Sequence, residues 1–157
     1  MANNFFIKIK LETETVKQAT ELHQELQAAF EEADREMVGA FFGSSRYLFE
    51  GHTEQTGTEV IIGGWVKWGY RDYEFADMFG WLRTKVTVKK FNMRYEEWGC
   101  LLYGEYDFNG ETMKNHFLEE KDFPKPTSSD FDNFKKYREK VEAVYQKKHS
   151  TRIISID

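Results

Sequence analysis

Apolar and polar residues alternate from Phe5 to Leu11, with Phe5, Ile7, Ile9 and Leu11 on one side of a period of two and Phe6, Lys8 and Lys10 on the other. That pattern predicts a strand with one buried and one wetter face. The period then lengthens. Ala19, Leu22, Leu26, Ala29, Phe30, Ala33 and Met37 make one stripe of an amphipathic helix, and Glu21, Glu25, Glu31, Glu32, Asp34 and Glu36 lie on its other side. Thr15 followed by Gln18 fits a capping box, Thr13 is the rival cap, and Gly39 is the expected stop.

Residues 46–66 predict a hairpin. Tyr47 and Phe49 open one arm, Thr56-Gly57-Thr58 turns, and Val60, Ile61 and Ile62 form the other arm, with Gly63-Gly64 expected to loosen it. A second helix is expected over 73–84, where Phe75, Met78, Phe79 and Leu82 share a face. Residues 86–95 return to strand character, with a change of phase at Lys89-Lys90 that predicts a bulge. Trp98-Gly99 separates that strand from one over 100–108. Asn109-Gly110 then predicts a two-residue turn into a return arm at 111–118. Residues 121–129 hold both prolines and read as a connector. Ser129 or Asp130 is expected to cap a last helix carrying Phe131, Phe134, Tyr137, Arg138, Val141, Val144 and Tyr145. Residues 152–157 form a short terminal strand or a docked arm.

This order predicts an α+β fold, a ferredoxin-like β-α-β-β-α-β core with an extra β-hairpin and a C-terminal helix. Residues 1–120 would form the core with its hairpin. Residues 121–157 would pack on the same domain, being too short to fold alone. The length of 157 residues suits one domain. A single cysteine excludes an intramolecular disulfide and a multi-cysteine zinc site. No apolar run reaches the roughly 18 residues of a membrane span, and residues 1–6 lack the basic start of a signal peptide. The expectation is a cytoplasmic protein without a membrane partner.

Asn92-Met93-Arg94-Tyr95-Glu96-Glu97-Trp98-Gly99, then Tyr103-Gly104-Glu105-Tyr106 and Asn109-Gly110-Glu111, resemble the YubB-like ferredoxin-fold domain family of plasmid and phage proteins. Members carry an R-Y-x-E turn, a G-x-x-x-x-G-E spacing and a closing N-G-E. They also show a Trp followed by paired prolines before the second helix, where this chain has Trp68-Gly69-Tyr70-Arg71. The resemblance implies the fold and a mobile-element setting, and it carries no catalytic residue across.

Candidate chemistry is sparse. His23, His52, His116 and His149 fall on four different elements with no ligand spacing between them, so no metal site is expected. Cys100 would need a base or a cation beside it to react, and a lone cysteine before Leu101-Leu102 reads as core. Glu31-Glu32, Glu96-Glu97 and Glu119-Glu120 are adjacent pairs whose side chains diverge. No phosphate-binding glycine motif occurs, and the segment from Gly39 to Gly43 with Ser44-Ser45 reads as a helix exit. The expectation is therefore no enzyme and no cofactor.

Two features remain. Residues 65–81 concentrate Trp65, Trp68, Tyr70, Tyr73, Phe75, Phe79 and Trp81, with Lys67 and Arg71. Interleaved aromatics and cations stack bases or anchor a protein partner. The segment lacks the glycine-aromatic consensus of the RNA-recognition module. The net charge of −5 also opposes the usual basic footprint. Second, residues 12–36 hold eight acids against Lys17 and Arg35, while residues 131–152 hold seven bases against Asp132, Glu139 and Glu142. Either the two helices compensate one another, or an acidic ridge steers the protein to a basic partner.

The first expectation is a non-enzymatic phage or plasmid protein that blocks a host protein, such as a nucleic-acid-binding defence nuclease in the manner of an anti-CRISPR. Glu21, Glu25, Glu31, Glu32 and Asp34 would steer it, and Trp68, Tyr70 and Arg71 would anchor it. The alternatives are a nucleotide or cyclic-nucleotide pocket of Trp65, Lys67, Trp68, Arg71 and Tyr73, and a single-stranded nucleic-acid binder. A homodimer through Ile153, Ile154 and Ile156 competes with docking of that segment on its own chain.

Overall fold

The computed structural model describes residues 4–31, 48–67 and 71–156. The elements are β1 (Asn4–Thr13), α1 (Val16–Glu31), β2 (Leu48–Thr56), β3 (Glu59–Lys67), α2 (Asp72–Lys85), β4 (Val88–Glu97), β5 (Leu102–Phe108) and β6 (Met113–Phe117). A single 3-10 turn (Glu120–Asp122), α3 (Ser128–Asp132), α4 (Phe134–Lys147) and β7 (Ser150–Ile154) complete the chain. All seven strands join one antiparallel sheet in the order β2-β3-β1-β4-β5-β6-β7. The result is a mixed helix–strand protein, as the patterning predicts.

Period-two burial decides the layers. On β1, Phe5, Ile7, Ile9 and Leu11 are buried. Their register partners Val66, Ile62 and Val60 on β3, and Tyr95, Met93 and Phe91 on β4, are buried with them. This face is sealed by α1, through Ala19, Leu22, Leu26 and Ala29, and by α2, through Phe75, Met78, Phe79 and Leu82. The Phe75 ring stacks on Tyr106 at 3.7 Å, and Phe79 meets Phe91 and Phe108 edge-on at 5.1 Å. The opposite face has its own smaller core. There Tyr103, one residue out of phase with Tyr106, packs with Leu118, Phe123, Tyr137, Val141 and Tyr145. The C-terminal helix α4 thus lies across the sheet from α1 and α2.

Local signals explain most boundaries. The Thr15 hydroxyl accepts from the Gln18 N–H at 3.1 Å, which makes Thr15 the cap of α1. The capping box is only half formed, because the Gln18 carboxamide instead accepts from the Thr87 N–H at 3.0 Å. Gly57, at φ 59°, turns the β2–β3 hairpin as expected. The phase change on β4 is a bulge: Glu12 pairs with Lys90 and Thr13 with Val88, leaving Lys89 unopposed.

Four expectations are corrected. Gly63-Gly64 does not loosen β3; both residues are paired on two sides, to Lys8 and Ile7 of β1 and to His52 and Gly51 of β2. Asn109-Gly110 sits in a four-residue loop, in which the Asn109 carboxamide accepts from the N–H groups of Glu111 and Thr112, so only Gly110 takes a positive φ. The last helix is not capped by Ser129 or Asp130. Thr127 caps α3, with its N–H and hydroxyl both donating to Asp130 Oδ2, and Asn133 breaks the run and caps α4. Cys100 is exposed in the β4–β5 turn rather than core. The terminal strand docks on β6 of its own chain, so β2 and β7 are the sheet's edges. The helix stripe beyond Glu31, its stop at Gly39, the following glycine segment and Tyr47 lie outside the described residues. Among the described residues no helix is long and apolar enough to cross a membrane.

Gly104 is where the sheet is tightest. A Cβ there would collide with the His116 carbonyl oxygen and would come within 2.7 Å of the Tyr95 hydroxyl. Gly80, inside α2, has open space around it. Gly104→Ala should therefore lose about 3 kcal/mol, the upper range for overpacking, whereas Gly80→Ala should gain about 0.5–1 kcal/mol by its helix propensity. Urea midpoints of the two variants check this pair of opposite signs.

Candidate functional site

The second core covers only part of its face. Register places Phe6 of β1 between Trp65 and Glu96, Lys8 between Gly63 and Arg94, and Lys10 between Ile61 and Asn92, all on the face away from α1 and α2. Over β4 and β5 this face meets α4. Over β1 and β3 this side carries Phe6, 41% exposed, and the half-buried Trp65, and α4 does not reach it. The His52 ring lies across Gly63, so close that a Cβ on that glycine would stand 2.5 Å from it. Glycine here leaves room for the imidazole of the cross-strand neighbour.

Between this open surface and α4 runs a groove of about 430 Å³. Its aromatic wall is Phe6, Trp98, Tyr103 and Phe134, and its cations are Lys8, Arg94 and Arg138. Phe134, the first residue of α4, is 48% exposed and meets Trp98 edge-on at 5.1 Å. Trp98 and Phe134 also line an adjoining apolar cavity of about 470 Å³, closed by Phe123, Pro124, Pro126 and Tyr137. The aromatic surface is therefore continuous from β1 to the start of α4.

The groove's far wall is held by a compact polar cluster. The Arg94 guanidinium lies over the Tyr103 and Tyr145 rings at 5.5 and 5.3 Å. It donates to Glu142 at 2.7 Å and to the Tyr103 hydroxyl at 3.1 Å. Tyr103 donates to Glu142, Tyr145 donates to Glu105 at 2.9 Å, and Arg138 pairs with Glu96 at 2.8 Å. Desolvation alone would raise the Glu142 carboxyl. The hydrogen bonds from Tyr103, Gln146 and Arg94 outweigh it and hold the group below the usual carboxylate range. Burial pushes the Tyr103 and Tyr145 phenols up, and the Glu142 and Glu105 carboxylates push them further, so both stay protonated donors.

A second polar cluster lies on the helical side of the sheet. Asp72, the first residue of α2, accepts from the Tyr106 hydroxyl (2.9 Å), Asn115 Nδ2 (3.2 Å) and Arg152 Nε (2.9 Å). Tyr95 donates to Asn115 at 2.8 Å, and the Arg152 guanidinium stacks on Phe117 at 4.3 Å. Burial raises both the Tyr95 and Tyr106 phenols. Both Asp72 oxygens and both polar ends of the Asn115 carboxamide are engaged within this cluster, which suits a clamp that ties β7 to α2 rather than a site awaiting substrate.

The residues singled out from sequence are dispersed. Glu21, Glu25 and Glu31 are exposed on α1; Glu25 pairs with Lys85 at 3.0 Å and Glu21 approaches Lys17 at 3.9 Å. Glu32, Asp34, Trp68 and Tyr70 lie outside the described residues, and Lys67 ends β3 opposite Asn4. Of the suggested nucleotide pocket, Trp65, Arg71 and Tyr73 are described. Trp65 projects from the open sheet face, while Arg71 and Tyr73 stand at the start of α2 on the other side. Phe75 and Phe79 are core, and Trp81 lies under the Lys85 ammonium at 5.3 Å. The His116 and His149 rings, expected apart, meet at 5.3 Å. Even so, no group of three His, Cys, Asp or Glu among the described residues could hold a metal ion. The Cys100 thiol is pushed above its ordinary value by local desolvation and by the Glu97 and Glu120 carboxylates, the reverse of what a nucleophile needs.

Phe6 and Phe134, the most exposed rings of the groove, were not singled out as site residues. Phe6 was legible as an aromatic in the polar phase of β1. Phe134 read as part of a helical stripe, and only the break at Asn133 turns it outward. Comparison with family models, curated proteins and solved structures finds no match for the chain.

Acid should loosen α4 first. Glu142 and Asp130 both titrate below the ordinary carboxylate range, Asp130 through the Thr127 N–H before any other cause. A depressed folded value contributes stability above the unfolded pKa of about 4, and that stability is lost as pH falls through the folded value. The urea midpoint should hold from pH 7 to about 5 and fall below about 4. Glu142→Gln should have a lower midpoint at neutral pH and a shallower acid limb.

Proposed function

We propose that this chain is a non-enzymatic binding protein whose working surface is the open sheet face and its groove against α4. The observation that carries the reading is the exposure of Phe6 and Phe134, which come from different elements and face one groove. An exposed aromatic cluster ringed by charge is the usual mark of a docking surface. The strand order β2-β3-β1-β4, with α1 after β1 and α2 after β3, supports a ferredoxin-like plan for the first six elements, on which β5–β7 and α4 are additions. The YubB-like resemblance of residues 92–111 would set such a module in a phage or plasmid.

A second reading keeps the acidic helix as the contact surface for a host protein. The observation favouring it is that α1 and the basic α4 lie on opposite faces of the sheet and cannot neutralise one another directly. The partner would then be a basic, nucleic-acid-binding host protein blocked through Glu21, Glu25 and Glu31. The ion pairs of Glu21 and Glu25 within this chain weaken that reading relative to the first.

A paired capture from bacterial lysate separates the two. Wild type, the double variant Phe6→Ala/Phe134→Ala and the triple variant Glu21→Lys/Glu25→Lys/Glu31→Lys serve as baits, each first checked for an unchanged melting curve. Loss of the captured macromolecule from the double variant alone is the expected result. Loss from the triple variant alone would overturn the sheet-face reading in favour of the acidic helix.

A further inference from the structure

We propose that the outer edge of β7 pairs with the same edge of a second copy of this chain, so that two sheets run on as one antiparallel sheet. Strand chemistry is the starting point. β7 pairs with β6 along Ser150–Ile154 and ends the sheet. Among the described residues, no backbone bond beyond that ladder engages residues 150–154. Such an edge presents a row of N–H and C=O groups that another extended chain can pair. Thr151 and Arg152 are exposed, and Ile153 is 74% exposed, the highest of any large apolar residue described. Tyr73 follows at 61%, next in the chain to Asp72, which holds Arg152. The two most exposed large apolar side chains therefore belong to one end of the sheet.

The two edges of the sheet are guarded unequally. β2 shifts register between Leu48 and Glu50 and carries Glu50 and Glu54. A bulge and carboxylates of this kind deter pairing with another chain. β7 keeps an unbroken register with β6 and has neither proline nor lysine. Its one charge is drawn inward from the edge: Arg152 Nε donates to Asp72 at 2.9 Å, and the guanidinium lies over Phe117 of β6 at 4.3 Å. Only its length of five residues limits the pairing.

Self-pairing has a register that suits these residues. Arg152 and Asn115 are register partners and both bond Asp72 on the α2 side, so Thr151 and Ile153 point to the α4 side. A two-fold axis normal to the sheet keeps each face continuous across the joint. Directly opposed residues of antiparallel strands share a face, so the axis passes where a residue meets its own counterpart. Centred on Ile153, the pairing sets this side chain against itself, with Arg152 opposite Ile154 and Thr151 opposite Ser155 of the second copy. Centred on Arg152, it would oppose like charges, which destabilises a strand pair. Centred on Ile154, it would set Ile153 against Ser155. The first register alone matches apolar with apolar at the exposed position, and it needs no residue from outside this chain.

The test is sedimentation of the full chain from low micromolar to near-millimolar concentration. The expected result is a dimer that dissociates on dilution. Ile153→Lys should raise its dissociation constant by about tenfold or more, with an unchanged melting curve because the side chain is exposed. Ile153→Thr, which keeps strand preference, guards against loss of fold and should weaken the dimer in the same direction. Phe6→Ala/Phe134→Ala should leave it intact, which keeps this result separate from the sheet-face reading. The register is read by oxidative cross-linking in a Cys100→Ser background. Ile153→Cys should form a disulfide dimer, since directly opposed residues have Cα atoms about 4.5–5.5 Å apart. Thr151→Cys should not, because its counterpart would stand about 14 Å away along the strand. A chain that sediments as a monomer throughout would overturn the inference. So would a dimer that survives Ile153→Lys or is lost in Phe6→Ala/Phe134→Ala, or cross-linking of Thr151→Cys as fast as Ile153→Cys.

Discussion

The placement of α4 depends on one guanidinium. Arg94 projects from the middle of β4 onto a sheet face that a helix must cover, and a charge in that position is costly without partners. Its partners are the Glu142 carboxylate and the rings of Tyr103 and Tyr145. Two of these, Glu142 and Tyr145, belong to α4, so the helix sits where it can reach Arg94. Arg138–Glu96 and Tyr145–Glu105 align it further along β4 and β5. A helix pinned to β4 and β5 does not reach over β1 and β3 on that face. The groove is the gap that this pinning creates.

The same constraint organises the charge. Because α4 is held on the face opposite α1, the basic and acidic segments are separated by the thickness of the sheet. Each finds counter-ions nearby instead: Lys85 for Glu25, Glu96 for Arg138, Asp130 for Lys140 and Asp122 for Lys148. An exposed pair such as Lys85–Glu25 contributes little to stability, roughly 0–1 kcal/mol; the Asp130 end of its pair with Lys140 is buried. A whole-chain charge could not reveal this. It averages over one face where Lys8, Arg94 and Arg138 stand among Glu96, Glu105 and Glu142, and another bearing Glu21, Glu25 and Glu31.

What could be read in advance was what local chemistry decides. The alternation through Phe5–Leu11, the turn at Gly57, the Thr15 cap and the bulge at Lys89 all depend on residues close in sequence, and their signals compete with nothing distant. The buried face of α2 was legible for the same reason. The failures share the opposite cause. Asn133 interrupts the last helix because Asp130 is occupied by Thr127 and Lys140, a competition among caps that no spacing rule ranks. The two sides of Gly63-Gly64 looked weak because a strand's neighbours are invisible in its own residues, and here both neighbours are present. Cys100 looked apolar beside Leu101-Leu102, yet the tight turn, with Leu101 at φ 51°, throws it outward. The Asp72–Arg152 clamp joins residues 80 apart. The groove itself was out of view, because a gap between a strand and a helix from opposite ends of the chain exists only after folding.

Exposure of an aromatic residue is by itself unremarkable on a protein surface. The weight of Phe6 and Phe134 comes from what surrounds them. Lys8 and Lys10 show that the outer phase of β1 tolerates polar residues, so solubility alone would favour a polar residue at position 6. Position 134 begins a helix whose neighbouring positions are Lys135 and Lys136, and its ring stays 48% exposed even while it meets Trp98 edge-on. At both sites an apolar ring stays exposed, and both rings open onto the same groove beside Lys8. The proposed binding role would account for both exposures with one occupant.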